Sequence, residues 1–209
     1  RLLKSLGFRR VIHRCRDFYQ DIANDDVPAF HVLLTNPPYS SDHKKRLLNF
    51  ILERQRRQMK AQELTEPFLL LLPSWTVGKA FFRKFLSSLA QLKAKSGEER
   101  AAEVFYLCRR GAKGRPEKYA FHHVEGAGLA RCPFFGLWIC GGFGEATEQV
   151  CAAVLRRKAE GFWDGAWYTC RPREVKDTGV MRVHWEDGTE SDLQPNELRG
   201  GLLLFRDLA

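Results

Sequence analysis

The stretch LLTNPPYS, Leu33 to Ser40, decides how the rest of this 209-residue chain is read. An apolar run passes through Thr35 and Asn36 and stops against two prolines. Prolines fix the backbone angle φ and remove two N–H donors, so the segment after the run is rigid and rich in acceptors. That is the signature of a buried strand ending in a stiff loop. In a doubly wound α/β sheet, ligands bind beyond the carboxyl ends of the strands. Asn36, Pro37, Pro38 and Tyr39 occupy such an end. An amino group with two hydrogens fits between the Asn36 side-chain oxygen and the Pro37 carbonyl. Tyr39 offers a flat face on which a planar amide or base can stack.

Working outward, Phe30 to Leu34 is expected to be a strand that is apolar on both faces, as in a sheet buried between helices. Asp42 to Met59 has Leu47, Leu48, Ile51 and Leu52 at core spacing and predicts a helix. Phe68 to Leu72, FLLLL, is a further buried strand stopped by Pro73. A helix over Lys79 to Lys95 and a strand over Val104 to Cys108 follow. Upstream, Leu2 to Leu6 reads as the end of a helix capped by Gly7, and Val11 to Cys15 as a strand. Downstream, Tyr119 to Val124 and Phe134 to Cys140 read as an antiparallel pair. Glu145 to Glu160 reads as a helix, with Gly141, Gly142 and Gly144 forming a turn before it. Strands alternating with helices predict a doubly wound α/β domain over residues 1–160. From Trp163 the helical period vanishes. Short strands and DG turns predict a small β-barrel over residues 161–200.

The charge is uneven. Residues 1–120 carry 24 Lys/Arg against 12 Asp/Glu, a net of +12, and residues 161–209 carry 6 against 9, a net of −3. A basic front concentrates polyanions such as DNA or RNA. Its densest exposed piece is expected in the loop RRGAKGRPEK, with Arg109, Arg110, Lys113 and Arg115 as candidate substrate contacts. Six cysteines show no C-x-x-C pair, so neither a zinc site nor a disulfide framework is expected. Reduced cysteines point to an intracellular setting. No apolar run approaches the roughly 18 residues of a membrane span, so no membrane partner is expected.

With its flanking strand and helix, TNPPY resembles the substrate motif of S-adenosylmethionine-dependent amino-methyltransferases of the N6-adenine type. These act on an exocyclic base amine or on a glutamine amide. The resemblance implies a Rossmann-like methyltransferase sheet with Asn36, Pro37, Pro38 and Tyr39 as the catalytic motif. It implies S-adenosylmethionine as cofactor, with Asp17 accepting from the cofactor's adenine amine and Phe18 packing on its ring. His43, close behind the motif, becomes a candidate substrate contact. The sequence also departs from the family. Only Gly7 precedes Asp17, and the glycine-rich loop that cradles the methionine part is missing. The expectation from the start RLLKSLGF is that the first strand or strands of the fold lie upstream. The other reading is a scaffold that has lost cofactor binding.

The tail, EGFWDGAWYTCRPREVKDTGVMRVHWEDGTESDLQPNELR, resembles a Tudor-like domain, one of the SH3-like barrels. Such domains hold methylated lysine or arginine in an aromatic cage by cation–π attraction. Trp163, Tyr168 and Trp185 match the cage positions, Gly188 stands where some relatives carry a further aromatic, and Trp167 is expected in the core. Three function classes follow: methyl transfer to a nucleic-acid base amine with adenine N6 favoured, methyl transfer to a glutamine amide of a protein, and a non-catalytic adaptor carrying a Tudor-like reader of methylated Lys/Arg peptides.

Overall fold

The structure is a computed structural model that describes residues 2–5, 8–12, 16–61, 63–96, 104–110, 116, 118, 134–155, 159–175 and 180–206. The expectations placed on Gly7, Cys15, Lys113, Arg115 and Tyr119 to Val124 lie outside these residues. The chain divides into two compact units, Arg1–Phe30 and His31–Ala209.

The first unit holds helices α1 (Leu2–Ser5) and α2 (Phe18–Ala23). Asp17 caps α2: its Oδ1 accepts from the backbone N–H of Tyr19 at 2.9 Å and of Gln20 at 3.2 Å. Such a cap satisfies donors that a helix start otherwise leaves orphaned, and contributes about 1 kcal/mol. Arg16 reaches Asp21 at 2.7 Å and also pairs with Asp26, closing the end of the unit on itself. Val11 and Ile12 are not in a strand, contrary to the sequence expectation.

The second unit is mixed α/β. Strand β1 (Leu33–Thr35) leads through the Asn-Pro-Pro-Tyr loop into helix α3 (His43–Lys60) and then into β2 (Phe68–Pro73). A 3-10 turn, Ser74–Thr76, and helix α4 (Ala80–Ser96) follow, then β3 (Phe105–Arg109) and β4 (Gly136–Gly141). Helix α5 (Thr147–Leu155) ends the α/β part. The order across the first sheet is β1-β2-β4-β3, joined at the β3 edge by β10 (Leu202–Phe205). Among the described residues only β1 and β2 pair in parallel; β4 runs antiparallel to both β2 and β3, and β10 antiparallel to β3.

From β2 inward the sheet is apolar on both faces because both faces are covered, whereas at the β1 edge Leu34 is 38% exposed, contrary to the expected strand buried on both sides. On one face, Phe68 meets Phe85 of α4 at 6.1 Å between ring centroids, and Tyr106 meets Phe82 at 6.5 Å. On the other, Phe105, Leu107 and Cys140 pack with Cys151 of α5. Period-2 alternation assigns neighbouring residues of one strand to opposite helices, so a continuous run such as FLLLL is required rather than tolerated. Helix α3 buries the stripe Leu47, Leu48, Ile51, Leu52, and below it Gln55 and Gln58. The two glutamines are satisfied by the segment entering β2. Gln58 Oε1 accepts from the Glu66 N–H at 3.1 Å, and the Gln55 amide donates to the Glu66 carbonyl at 3.4 Å. Arg54 adds two contacts of 2.6 Å to the Glu66 carboxylate.

The helix expected to reach Glu160 stops at Leu155, and strand β5 (Ala159–Trp163) takes over. Ala159 and Glu160 are claimed by pairing with Cys170 and Thr169 of β6 (Ala166–Val175), which overrides the local helical pattern. Strands β7 (Met181–Trp185), β8 (Glu190–Leu193) and β9 (Leu198–Arg199) complete a second, fully antiparallel sheet of order β8-β7-β6-β5-β9. A 3-10 turn at Pro195–Glu197 carries the chain back so that β9 pairs with β5. Ala159, Cys170, Met181, Val183, Trp185, Leu193 and Leu198 form its core. Trp167 is not in that core. It lies on the opposite face, half-buried against Phe162 at 5.2 Å, because alternation along β6 gives the inner face to its neighbour Tyr168 and to Cys170.

Among the described residues no helix is long and apolar enough to cross a membrane, and no cluster of three or more His, Cys, Asp or Glu could hold a metal ion. Cys108, Cys140, Cys151 and Cys170 are buried. Burial pushes the Cys140 thiol up to about 12 and those of Cys108 and Cys170 up to about 11, so none carries useful thiolate at neutral pH. Of the six cysteines, at most the two others should react with a thiol reagent in the native chain, and all six after denaturation. Fast native labelling of three or more, counted by mass spectrometry, would contradict the packing described.

Candidate functional site

The parallel pairing of β1 with β2 sets Leu33 opposite Phe68 and Thr35 opposite Leu70. It therefore brings the two carboxyl ends together, Asn36 to Tyr39 on one and Pro73 to Trp75 on the other. Asn36 is exposed, Pro37 is buried and Pro38 is exposed. The Tyr39 hydroxyl lies 2.5 Å from Asn36 Oδ1 and 3.2 Å from the Leu71 carbonyl. A phenol has one proton to give, and the shorter contact is the one it serves best. A carbonyl oxygen has two lone pairs, so Asn36 Oδ1 keeps one for a ligand's N–H. Tyr39 was expected to act as a stacking plate. Its hydroxyl donates to Asn36 Oδ1 close to the Leu71 carbonyl of β2, and its ring meets Phe134 edge-on at 5.4 Å.

Lys44 is the residue that sequence reasoning missed. It is 5% exposed, on the first turn of α3. Its ammonium donates to the Tyr39 backbone carbonyl and lies 5.3 Å from the centre of the Trp75 ring. One side chain thus ties the loop after β1 to the turn after β2. Burial lowers the Lys44 pKa. A signal for this was available: positions 44, 48, 51 and 55 form one helical stripe, and Lys44 is its first member.

The remaining candidates fall as follows. His43 is half-buried at the start of α3, next to Lys44. Arg109 is exposed at the end of β3. Arg110 is not part of a surface strip: it is 2% exposed. Its backbone N–H donates to Gly201 at 3.3 Å, and its Nη2 lies 3.7 Å from Met181 Sδ of the second sheet. Burial lowers its pKa, and its Nε makes no hydrogen bond. The direction of β3 carries it inward beneath the second sheet, so it cannot meet a substrate phosphate. Lys113 and Arg115 lie outside the described residues. Asp17 and Phe18 belong to the first unit. Asp17 is exposed, with one carboxylate oxygen committed to its helix, and Phe18 is half-buried with its ring 5.8 Å from that of Tyr19.

In the second sheet, Trp163, Tyr168 and Trp185 share one face, since Tyr168 pairs with Gly161 and Trp185 with Cys170. Trp163 and Tyr168 are 57% and 51% exposed, whereas Trp185 is 9% exposed with its Nε1 donating to Ser191 Oγ at 2.9 Å. Trp163 and Trp185 stand 6.4 Å apart between ring centroids. Gly161 makes this possible: a Cβ there would lie 2.6 Å from the Trp185 ring and 2.6 Å from Leu193. Gly188 takes φ of +90° in the β7–β8 turn, a conformation that an aromatic side chain would strain. No fourth ring is supplied at that position.

No family model, curated protein or solved structure matches this chain.

The buried lysine has a pH signature. Its folded pKa lies below the ordinary 10.5, so between the two values the unfolded chain binds the extra proton. Stability contributed at this site therefore rises as pH climbs through that window. The melting temperature of the wild type relative to Lys44→Met should increase as the pH rises towards the ordinary lysine value of 10.5. A constant difference across that range would mean that Lys44 is not buried as an ammonium.

Proposed function

We propose that the Asn36–Tyr39 cluster binds the exocyclic amine of a nucleic-acid base, adenine N6 foremost, as the substrate half of an S-adenosylmethionine-dependent amino-methyltransferase. The observation that carries this reading is the 2.5 Å contact from the Tyr39 hydroxyl to Asn36 Oδ1 at the carboxyl end of β1. It holds an acceptor in place without using up its capacity. The Pro37 carbonyl supplies a second acceptor on a backbone that has no N–H to misdirect it. Accepting both amine hydrogens draws the nitrogen lone pair out of conjugation with the ring. No strong general base is needed, and the contribution is positioning and electrostatics. A base inside a duplex would have to be flipped out to reach the site.

The parallel β1–α3–β2 unit, with helices on both faces of its sheet, supports a Rossmann-like arrangement for residues 31–160, and the returning strand β9 supports an SH3-like reading of the second sheet. S-adenosylmethionine would bring the methyl group as a sulfonium. The fit to it is incomplete in these residues. Asp17 spends Oδ1 on its own helix, and no glycine-rich loop precedes it. No step above passes through the cofactor.

A second reading concerns the other sheet. Two exposed rings on one face, with a buried tryptophan beneath them, suit a methylated lysine or arginine side chain held by cation–π attraction. The net −3 of the tail suits a cationic peptide. Trp163→Ala should weaken a trimethyl-lysine peptide by roughly 10-fold in a fluorescence titration. Equal binding of the unmodified peptide would remove the cage reading.

For the first reading, short single strands containing adenine or N6,N6-dimethyladenine are compared by anisotropy. The dimethylated base has no amine hydrogen to donate, so adenine should bind roughly 10-fold more tightly, and Asn36→Ala should erase the difference. Equal binding of the two bases would defeat the proposal. Competition by a glutamine peptide but not by adenosine would shift the site to a protein amide. Adenine-specific binding with no methyl transfer from labelled S-adenosylmethionine would fit a scaffold.

A further inference from the structure

The end of β2 carries a second group of residues that the amine site does not use. Trp75, in the turn after β2, is 43% exposed, and Phe135, just before β4, is 41% exposed. The two are neighbours in the backbone: the Ser74 N–H donates to the Phe135 carbonyl at 2.7 Å, and Pro73 pairs with Gly136. Each ring has a lysine ammonium over it. Lys79 Nζ lies 5.7 Å from the centre of Trp75, and Lys118 Nζ lies 5.3 Å from that of Phe135. Lys44, buried, lies 5.3 Å from the Trp75 ring and fixes its place. Phe134, next along the chain, touches Tyr39 of the amine site.

Two large exposed rings on adjacent segments are costly unless something covers them. Here the cover must be flat and anionic, because each exposed ring is flanked by an ammonium. Alternation of flat rings with phosphates is the chemistry of an unpaired nucleic-acid strand, whose bases stack on aromatic side chains while its backbone follows a basic surface. A duplex keeps its base faces stacked inside and could use only the lysines. An acidic peptide has no flat face to match the rings.

We propose that Trp75 and Phe135, flanked by Lys79 and Lys118, form a stacking strip for single-stranded nucleic acid that leads to Asn36 and Tyr39. The strip accepts any base, since every base has a stacking face. It rests on the amine-site reading only for where the strand is going.

The test separates the two. A thymidine oligonucleotide of about 12 residues carries no exocyclic amine and spans one binding surface of this kind. Its affinity for the full chain is measured by anisotropy at several salt concentrations. Trp75→Ala should weaken it by roughly 10-fold, while Trp75→Phe, which keeps a ring, should lose much less. Lys79→Ala should reduce the slope of log affinity against log salt by about 0.7, the share of one single-strand phosphate contact. Circular dichroism melts confirm that each variant is folded. The strip is overturned if Trp75→Ala binds like wild type, if a duplex of the same length binds more tightly, or if polyglutamate competes as well as the oligonucleotide. Thymidine binding that depends on Trp75, without any preference for adenine over its dimethylated form, would keep the strip and sink the amine site.

Discussion

The structure turns on the pairing of two short parallel strands. Among the described residues β1 and β2 are the only hydrogen-bonded neighbours of the first sheet that run parallel, and their register sets Thr35 opposite Leu70. Parallel neighbours need a long crossover, which α3 supplies, and their carboxyl ends then open on the same side. Every feature of the candidate site follows from that geometry. The Asn-Pro-Pro-Tyr loop leaves β1 where Trp75 leaves β2, and Lys44 at the start of the crossover helix reaches both. A one-residue slip of β1 would turn its side chains over and dissolve the site.

The polar groups at this place are arranged against their own solvation. An ammonium buried to 5% exposure is costly, and burial lowers its pKa accordingly. It is retained between a backbone carbonyl and an aromatic face. The Tyr39 hydroxyl likewise reaches Asn36 and the Leu71 carbonyl. These interactions order a loop that two prolines have already stiffened. Preorganisation of this kind matters most when the work of a site is to orient an amine. Arg110, by contrast, is a buried cation beneath the second sheet, beside Met181 and far from any role as a surface contact.

Much of this was legible in the sequence, and the failures have physical causes. The α3 stripe and the FLLLLP strand were readable because long periodic or continuous apolar runs admit few interpretations. Strand β1 was expected at Phe30 to Leu34 and lies at Leu33–Thr35, because β2 begins at Phe68 and offers no partner to residues before Leu33. The helix towards Glu160 was cut short by pairing with β6 and β9, which no local pattern announces. Arg110 was misplaced and Lys44 was missed for one reason. Within a charged run, each residue was treated as solvated, although strand direction buries the first and helical phase buries the second. Asp17, expected to accept from a cofactor's adenine amine, caps a helix in the structure.

The central claim is that Asn36 and the loop it anchors accept the hydrogens of a planar amine. The most direct measurement is a nuclear magnetic resonance titration with adenosine labelled with nitrogen-15 at N6. The N6 proton resonances should move downfield on binding, and this movement should be lost in Asn36→Ala. Binding that leaves the N6 resonances where they are in free adenosine, or a shift that survives Asn36→Ala, would contradict it.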